Sequence, residues 1–156
     1  MASSTNSTPP LQSGRHPKYR SVRPGPPSVA SSPCILVIDD DDMVRRALVR
    51  GLRRKYAVTD LRDAETARAL ITAGTWFDAI LCDLNLAGMS GADFFVNLQA
   101  LDEQQASRVV ILSGNPDGRE DPRFAGREPR FLEKPSSIAT IEAMLVDLFH
   151  QGARAA

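Results

Sequence analysis

From Pro33 onward the chain alternates short apolar runs with stretches of helical period, the pattern of a repeating strand–helix unit around a parallel sheet. Ile35 to Asp39 reads as a buried strand, and Met43 to Lys55 as a helix with Val44, Leu48, Val49 and Leu52 on one face. Tyr56 to Leu61 is a shorter strand and Ala64 to Thr72 a helix. Phe77 to Asp83 is a strand whose centre, Ala79-Ile80-Leu81-Cys82, is apolar enough for burial on both faces, which makes it central. Gly91 to Leu101 predicts a third helix, Val109 to Ser113 a fourth strand and Arg130 to Glu133 a short fifth. Ser137 to His150 closes the pattern as an amphipathic helix through Ile138, Ile141, Leu145 and Leu148. Between the fourth and fifth strands the period breaks down. Gly114 to Pro129 holds three prolines and three glycines, with Phe124 as its only large apolar residue, so a loop-like crossover is expected rather than a regular helix.

Before Pro33 there is no such pattern. Seventeen of the first 33 residues are Ser, Thr or Pro, and a stretch of this kind has no apolar face whose burial would offset its ordering entropy. The expected organisation is therefore a disordered Ser/Pro-rich tail over 1–33, one domain over 34–150 and a short C-terminal tail over 151–156. A chain of 156 residues with 42% hydrophobic content suits one such core.

Charge changes this picture little. The formal net charge is +0, but residues 1–33 carry four Lys/Arg and no acid, which leaves the remainder with fifteen cations against nineteen acids. Four tail cations, with Tyr19 as the one aromatic among them, point to a solvated segment rather than a nucleic-acid arm. Apolar runs such as Ile35-Leu36-Val37-Ile38 fall far short of the ~18 residues of a membrane span, and residues 1–30 lack the apolar core of a secretory signal. A cytoplasmic setting is expected. If Cys34 opens one strand and Cys82 closes its neighbour, they are separated by roughly 13 Å at ~3.3 Å per residue. That exceeds the ~7 Å Cα limit of a disulfide, so none is expected.

The candidate chemistry lies at the strand ends. In an open parallel α/β sheet, ligands bind outside the carboxyl ends of the strands. There the first strand ends in Asp39 and Asp40, the third in Asp83 and the fourth in Ser113, while Lys134 follows the fifth. Asp39 to Asp42 would also suit a helix N-terminus, and Lys134 or Ser113 alone could be ordinary surface or turn residues. Four coincidences at successive strand ends favour a site. Carboxylates gathered at one rim repel unless protonated or bound to a cation. Oxygen donors favour Mg²⁺ over Zn²⁺, since the only histidines, His16 and His150, are badly placed. Carboxylates around a metal, with an ammonium and a hydroxyl nearby, form a pocket for a phosphoryl group. Asp83, already ionised at neutral pH, is best positioned as nucleophile. Lys134 is one of only three lysines beside sixteen arginines, and a compact ammonium suits a phosphate.

These residues resemble the response-regulator receiver family over about residues 34–150. Residues 35–46, Ile-Leu-Val-Ile-Asp-Asp-Asp-Asp-Met-Val-Arg-Arg, look like the family's first strand, acidic pair and opening helix. Residues 77–91 look like its phosphoacceptor segment, 109–114 like the strand bearing its phosphate-sensing hydroxyl, and Phe131-Leu132-Glu133-Lys134-Pro135 like its lysine motif. The resemblance implies a flavodoxin-like (βα)5 fold with strand order 2-1-3-4-5 and a fourth helix short or absent. It implies Asp83 as phosphoacceptor, Asp39, Asp40, Asp83 and the Asn85 carbonyl as Mg²⁺ ligands, and Ser113, Lys134 and Phe131 as phosphate-binding or switch residues. It also implies a Lys134–Pro135 bond that is commonly cis. Ala87 stands where the family usually has Pro, Ser113 where Thr is commoner, and Phe131 lacks the hydroxyl of the frequent Tyr, so its signal must come from packing. The Pro-rich crossover departs from the family's usual signalling face.

The implied function is a free-standing phosphoacceptor in a two-component system or phosphorelay. It would be charged by a sensor histidine kinase or a histidine phosphotransfer protein and would signal to a downstream protein by contact. With no DNA-binding segment after Gln151 and no catalytic one, neither direct transcriptional control nor turnover enzymology is expected. The alternatives are a pseudo-receiver scaffold that is never phosphorylated and, more weakly, an aspartyl phosphatase. The latter would want a second Asp two positions beyond the nucleophile, where this chain has Asn85.

Overall fold

The computed structural model describes residues 32–154, so all but the end of the expected N-terminal tail lies outside the described residues. Five strands form one parallel sheet: β1 (Cys34–Ile38), β2 (Ala57–Leu61), β3 (Ala79–Asp83), β4 (Val109–Ser113) and β5 (Arg130–Glu133). Their spatial order is β2-β1-β3-β4-β5, as the family resemblance implied. The helices are α1 (Asp42–Leu52), α2 (Ala64–Thr72), α3 (Gly91–Leu101), a one-turn α4 (Glu103–Ala106) and α5 (Ile138–Arg154). None of the described helices is long and apolar enough to cross a membrane.

Period-two alternation divides the core between the two faces of the sheet. Leu36, Ile38, Ile80, Cys82 and Ile111 point to the side covered by α2 and α3, where Ala67, Ile71, Phe94 and Leu98 meet them. Ile35, Val37, Leu81, Val110 and Leu112 point to the other side, against Leu48 and Leu52 of α1 and Ile141, Leu145 and Leu148 of α5. All five residues of β3 and of β4 are buried, as strands covered on both faces must be. The edge strands β2 and β5 are only partly covered. In the register Ile38 pairs with Cys82, so Cys34 lies four residues along β1 from the partner of Cys82, and the two cysteines are not joined by a disulfide.

Side-chain caps set where the helices begin. Asp41 accepts from the Met43 and Val44 amides at the start of α1, and Asp63 from Thr66 at α2. Ser90 caps α3 through the Asp93 amide, while its hydroxyl donates to the Asp93 carboxylate. Several boundaries depart from the sequence pattern: β1 runs from Cys34 to Ile38 rather than from Ile35 to Asp39, and β2 and β3 begin at Ala57 and Ala79 rather than at Tyr56 and Phe77. The first helix ends at Leu52 rather than Lys55. The short α4, capped by Asp102, was not foreseen. It places Gln105 where its side-chain amide bonds both the N–H and the carbonyl of Phe77. The last helix runs on to Arg154, so residues 151–154 are helical rather than the expected tail.

The crossover from β4 to β5 holds two 3-10 turns, Pro116–Glu120 and Pro122–Phe124, in place of an α-helix. Each opens on a proline behind an Asn or Asp cap, Asn115 and Asp121, a combination that starts a turn but that glycine at 118 and 126 does not extend. The one large apolar residue of the segment, Phe124, supplies its cover for the sheet. It is 4% exposed and packs edge-on to Phe95 of α3 and Phe131 of β5.

Candidate functional site

The polar residues named from the sequence converge at the carboxyl edge of the sheet because the strands bearing them are neighbours. Asp39 follows β1 directly, and its amide donates to the Leu61 carbonyl at the end of β2. Asp83 is the last residue of β3, between β1 and β4 in the sheet. Ser113 ends β4, and Lys134 follows β5 with its amide bonded to the Ser113 carbonyl at 2.7 Å. Asp39 is fully buried, Asp83 7% exposed and Ser113 3% exposed. Asp40 is half-buried, and Asn85 lies exposed in the loop after β3.

The carboxylates of Asp39, Asp40 and Asp83 each offer an oxygen within 4.8 Å of the others. The Lys134 ammonium sits between two of them, 2.7 Å from Asp39 Oδ2 and 3.1 Å from Asp83 Oδ1. Desolvation dominates the electrostatics of Asp83. It raises the carboxyl pKa above the ordinary value, against the pull of Lys134 and the Asn85 amide, and the negative Asp39 adds to the rise. Burial also acts on Lys134 and by itself would favour the neutral amine. The hydrogen bond to Asp39 and the charge of Asp83 outweigh it and lift the ammonium pKa above the usual lysine value. Three carboxylates facing one ammonium leave the pocket net negative. It is lined with hard oxygen donors, and the nearby Cys82 thiol is kept protonated by burial. This donor set fits a small divalent cation and does not fit a thiophilic one.

The pocket walls are tied to the acids. Asp40 Oδ2 accepts the Ala87 amide at 3.1 Å, and Glu65 of α2 accepts the Met89 amide at 2.7 Å, which fixes the β3–α3 loop at two points. The first bond requires a residue other than proline at 87, because proline has no N–H to give. Ser113 hydrogen-bonds Asn115: its hydroxyl donates to the Asn115 carbonyl at 2.8 Å and accepts the Asn115 amide at 3.1 Å. Phe131 is buried, with the Arg119 guanidinium 4.9 Å from its ring centroid and Phe124 at right angles to it, 5.2 Å away. Its contacts are thus packing contacts, as its missing hydroxyl requires. The Lys134–Pro135 bond is cis.

One residue behind the site is not evident from the sequence. Arg45 is a charged side chain only 8% exposed, on the α1 face that buries Leu48, Val49 and Leu52. The signal was present, since positions 45, 48, 49 and 52 share one helical face, but an arginine there does not look like core.

The chain matches known proteins over this same region. A family model for the response regulator receiver domain covers residues 35–146. The transcriptional regulatory protein PrrA of Mycobacterium leprae is 32% identical over 122 residues, 78% of this chain and 52% of that protein. The chemotaxis protein CheY-3 of Vibrio cholerae is 27% identical over 122 residues, 75% of this chain and 92% of that one. The chain therefore spans about half the length of the transcriptional regulator and most of the chemotaxis protein. Among solved structures, a CheY-like receiver domain protein from Methanospirillum hungatei superposes with a TM-score of 0.70 at 19% identity, over 81% of this chain and all of that one. With its (βα)5 sheet in the order 2-1-3-4-5 and an acidic pocket at the strand ends, the chain belongs to the response regulator receiver domain family of two-component signalling.

Proposed function

We propose that Asp83 accepts a phosphoryl group from a phospho-histidine donor in a Mg²⁺-dependent reaction, and that the charged form signals by protein contact. The observation that carries this is the placement of Asp83 at the end of the central strand, 3.1 Å from the Lys134 ammonium and within the three-carboxylate cluster. An Asp83 carboxylate oxygen attacks phosphorus, the P–N bond of the donor breaks, and the imidazole leaves with the bonding electron pair. Asp39, Asp40 and Asp83, with the Asn85 carbonyl, would hold Mg²⁺, which when bound neutralises charge on the transferring phosphoryl oxygens. Lys134 would neutralise a further oxygen. The Ser113 hydroxyl, once it leaves Asn115, would donate to another. Water later cleaves the acyl phosphate and restores the carboxylate.

A protein donor is supported by a groove of about 760 Å³ between α1 and α5. It is lined by Val44, Leu48, Gly51, Ile138 and Ile141 and runs up to Lys134 at the pocket. Met43, the residue before the lining Val44, stands 83% exposed on α1 and adds apolar surface for a protein donor. The complete acid, hydroxyl and lysine set supports an acceptor over a scaffold that is never phosphorylated. The test is intact mass after incubation with Mg²⁺ and a small phosphodonor. One phosphoryl adduct on wild type, absent from Asp83→Ala and absent without Mg²⁺, is expected. No adduct on wild type would leave the scaffold reading.

A further inference from the structure

The loop that carries Asp39 and Asp40 is tied to α1 and β2 by one buried cation, Arg45. Arg45 Nη1 donates to the main-chain carbonyl of Asp39 at 2.8 Å, Nε to Asp60 on β2 at 3.2 Å, and Nη2 to Asp42 in the first turn of α1. A single guanidinium thus joins the end of β1, the start of α1 and β2. The Asp39 amide is bonded to Leu61, and its carboxylate accepts from the Asp41 amide at 2.9 Å and from Lys134. Every polar group of Asp39 is therefore assigned a direction, and Arg45 sets that of the carbonyl leading into Asp40. Four successive carboxylates, Asp39 to Asp42, would push this turn open if nothing on its inner side drew it together. A planar fork reaches three acceptors at once, whereas an ammonium on a lysine stem reaches one or two. The outer partners keep other cations in reach, Arg62 at 3.7 Å from Asp42 and Arg53 at 3.8 Å from Asp60, so Arg45 is the member of the cluster that faces the loop.

We propose that Arg45 is a positioning residue for the cation site: by gripping the Asp39 carbonyl it holds Asp39 and Asp40 in the arrangement that binds Mg²⁺. The inference rests on the Mg²⁺-dependent acceptor reading and adds a residue to it that touches neither metal nor phosphate. Positioning and charge predict opposite signs. Removing a cation beside a negative pocket, with geometry kept, tightens divalent-metal binding, whereas loosening the turn weakens it.

The experiment is calorimetric titration of the metal-free full chain with Mg²⁺, for wild type, Arg45→Lys and Arg45→Gln, with thermal unfolding in chelator to establish that each is folded. Both variants are expected to bind Mg²⁺ about tenfold more weakly, the scale on which groups that orient metal ligands act. The Asp41 amide, bonded to Asp39, should exchange with solvent faster in both. Arg45→Lys keeps the charge and the aliphatic stem and carries the test alone if Arg45→Gln does not fold. Lysine binding like wild type while glutamine binds more tightly would show that charge alone matters and overturn the proposal. Unchanged Mg²⁺ affinity with a lowered unfolding midpoint would reduce Arg45 to a structural ion pair and overturn it too. A wild type that takes up no Mg²⁺ would overturn the metal reading itself, and this proposal with it.

Discussion

At the scale of the residue, the pocket concentrates charge that the fold must compensate. Burial raises the Asp83 pKa, and a carboxyl whose folded pKa lies above its unfolded value costs stability when ionised. That cost is absent below the ordinary value of 3.8 and complete above the raised folded value. Asp83→Asn removes it. In chelator at pH 7 the variant is expected to unfold at a temperature a few degrees above wild type, with the difference shrinking as the pH is lowered towards 4. Thermal melts across that range measure it. Lys134→Met acts in the opposite sense, because it strips the ammonium from a fully buried Asp39 and from Asp83 together. Breaking a buried pair from one side typically costs about 3–5 kcal/mol. That loss should appear in urea unfolding without metal and be partly restored by Mg²⁺, which supplies the missing positive charge.

At the scale of the element, the crossover between β4 and β5 replaces helix packing with a few specific contacts. Phe124 lies between Phe95 and Phe131 and is the segment's main anchor in the core. Phe124→Ala is expected to destabilise the domain by about 3–5 kcal/mol, as large-to-small core changes do. It should also free the Phe131 ring, which would show as altered aromatic side-chain shifts by NMR. The second tie is ionic: Arg123 pairs with Asp121 at 2.6 Å and reaches Asp93 of α3 at 2.8 Å. The hydrogen bonds of Arg123 hold the Asp121 carboxyl down at about 2, against an ordinary 3.8. A depressed folded pKa gives stability that is complete above the unfolded value and lost as the pH falls through the folded one. The Asp121–Arg123 pairing within the crossover should therefore be lost between about pH 4 and pH 2. Its surface exposure keeps the effect small, and the carboxyl-carbon NMR titration of Asp121 would follow it, with Arg123→Gln returning the midpoint towards 3.8.

At the scale of the whole molecule, the site exists because α3 starts directly against the end of β3. Gly91 opens that helix, and a Cβ there would meet the Asp83 carbonyl oxygen and come within 2.9 Å of the Leu84 Cα, both main-chain atoms that have little room to yield. Gly91→Ala should cost about 3 kcal/mol, the upper end of ordinary overpacking. It should also lower the rate of acceptance at Asp83 from a small phosphodonor, measured by intact mass against time.

Much of this molecule was legible in its amino-acid pattern, because the interactions that reveal it are local or periodic. An apolar run with no alternation identifies β3 as buried on both faces, the 3.6-residue period gives α2 and α3 their observed bounds, and the prolines and glycines of 114–129 argue against a regular helix. Polar residues at the ends of successive strands identify Asp39, Asp40, Asp83, Ser113 and Lys134 as one site once the strands are parallel. What the sequence could not determine depends on distances across the chain. Only the packed structure puts Lys134 between Asp39 and Asp83, turns an arginine of α1 inward to hold the carbonyl of Asp39, brings the Ala87 amide to Asp40, and makes Phe124 the bridge between α3 and β5. Each joins residues from separate elements, and no period or motif along the chain encodes how their side chains meet once the sheet and helices close around them.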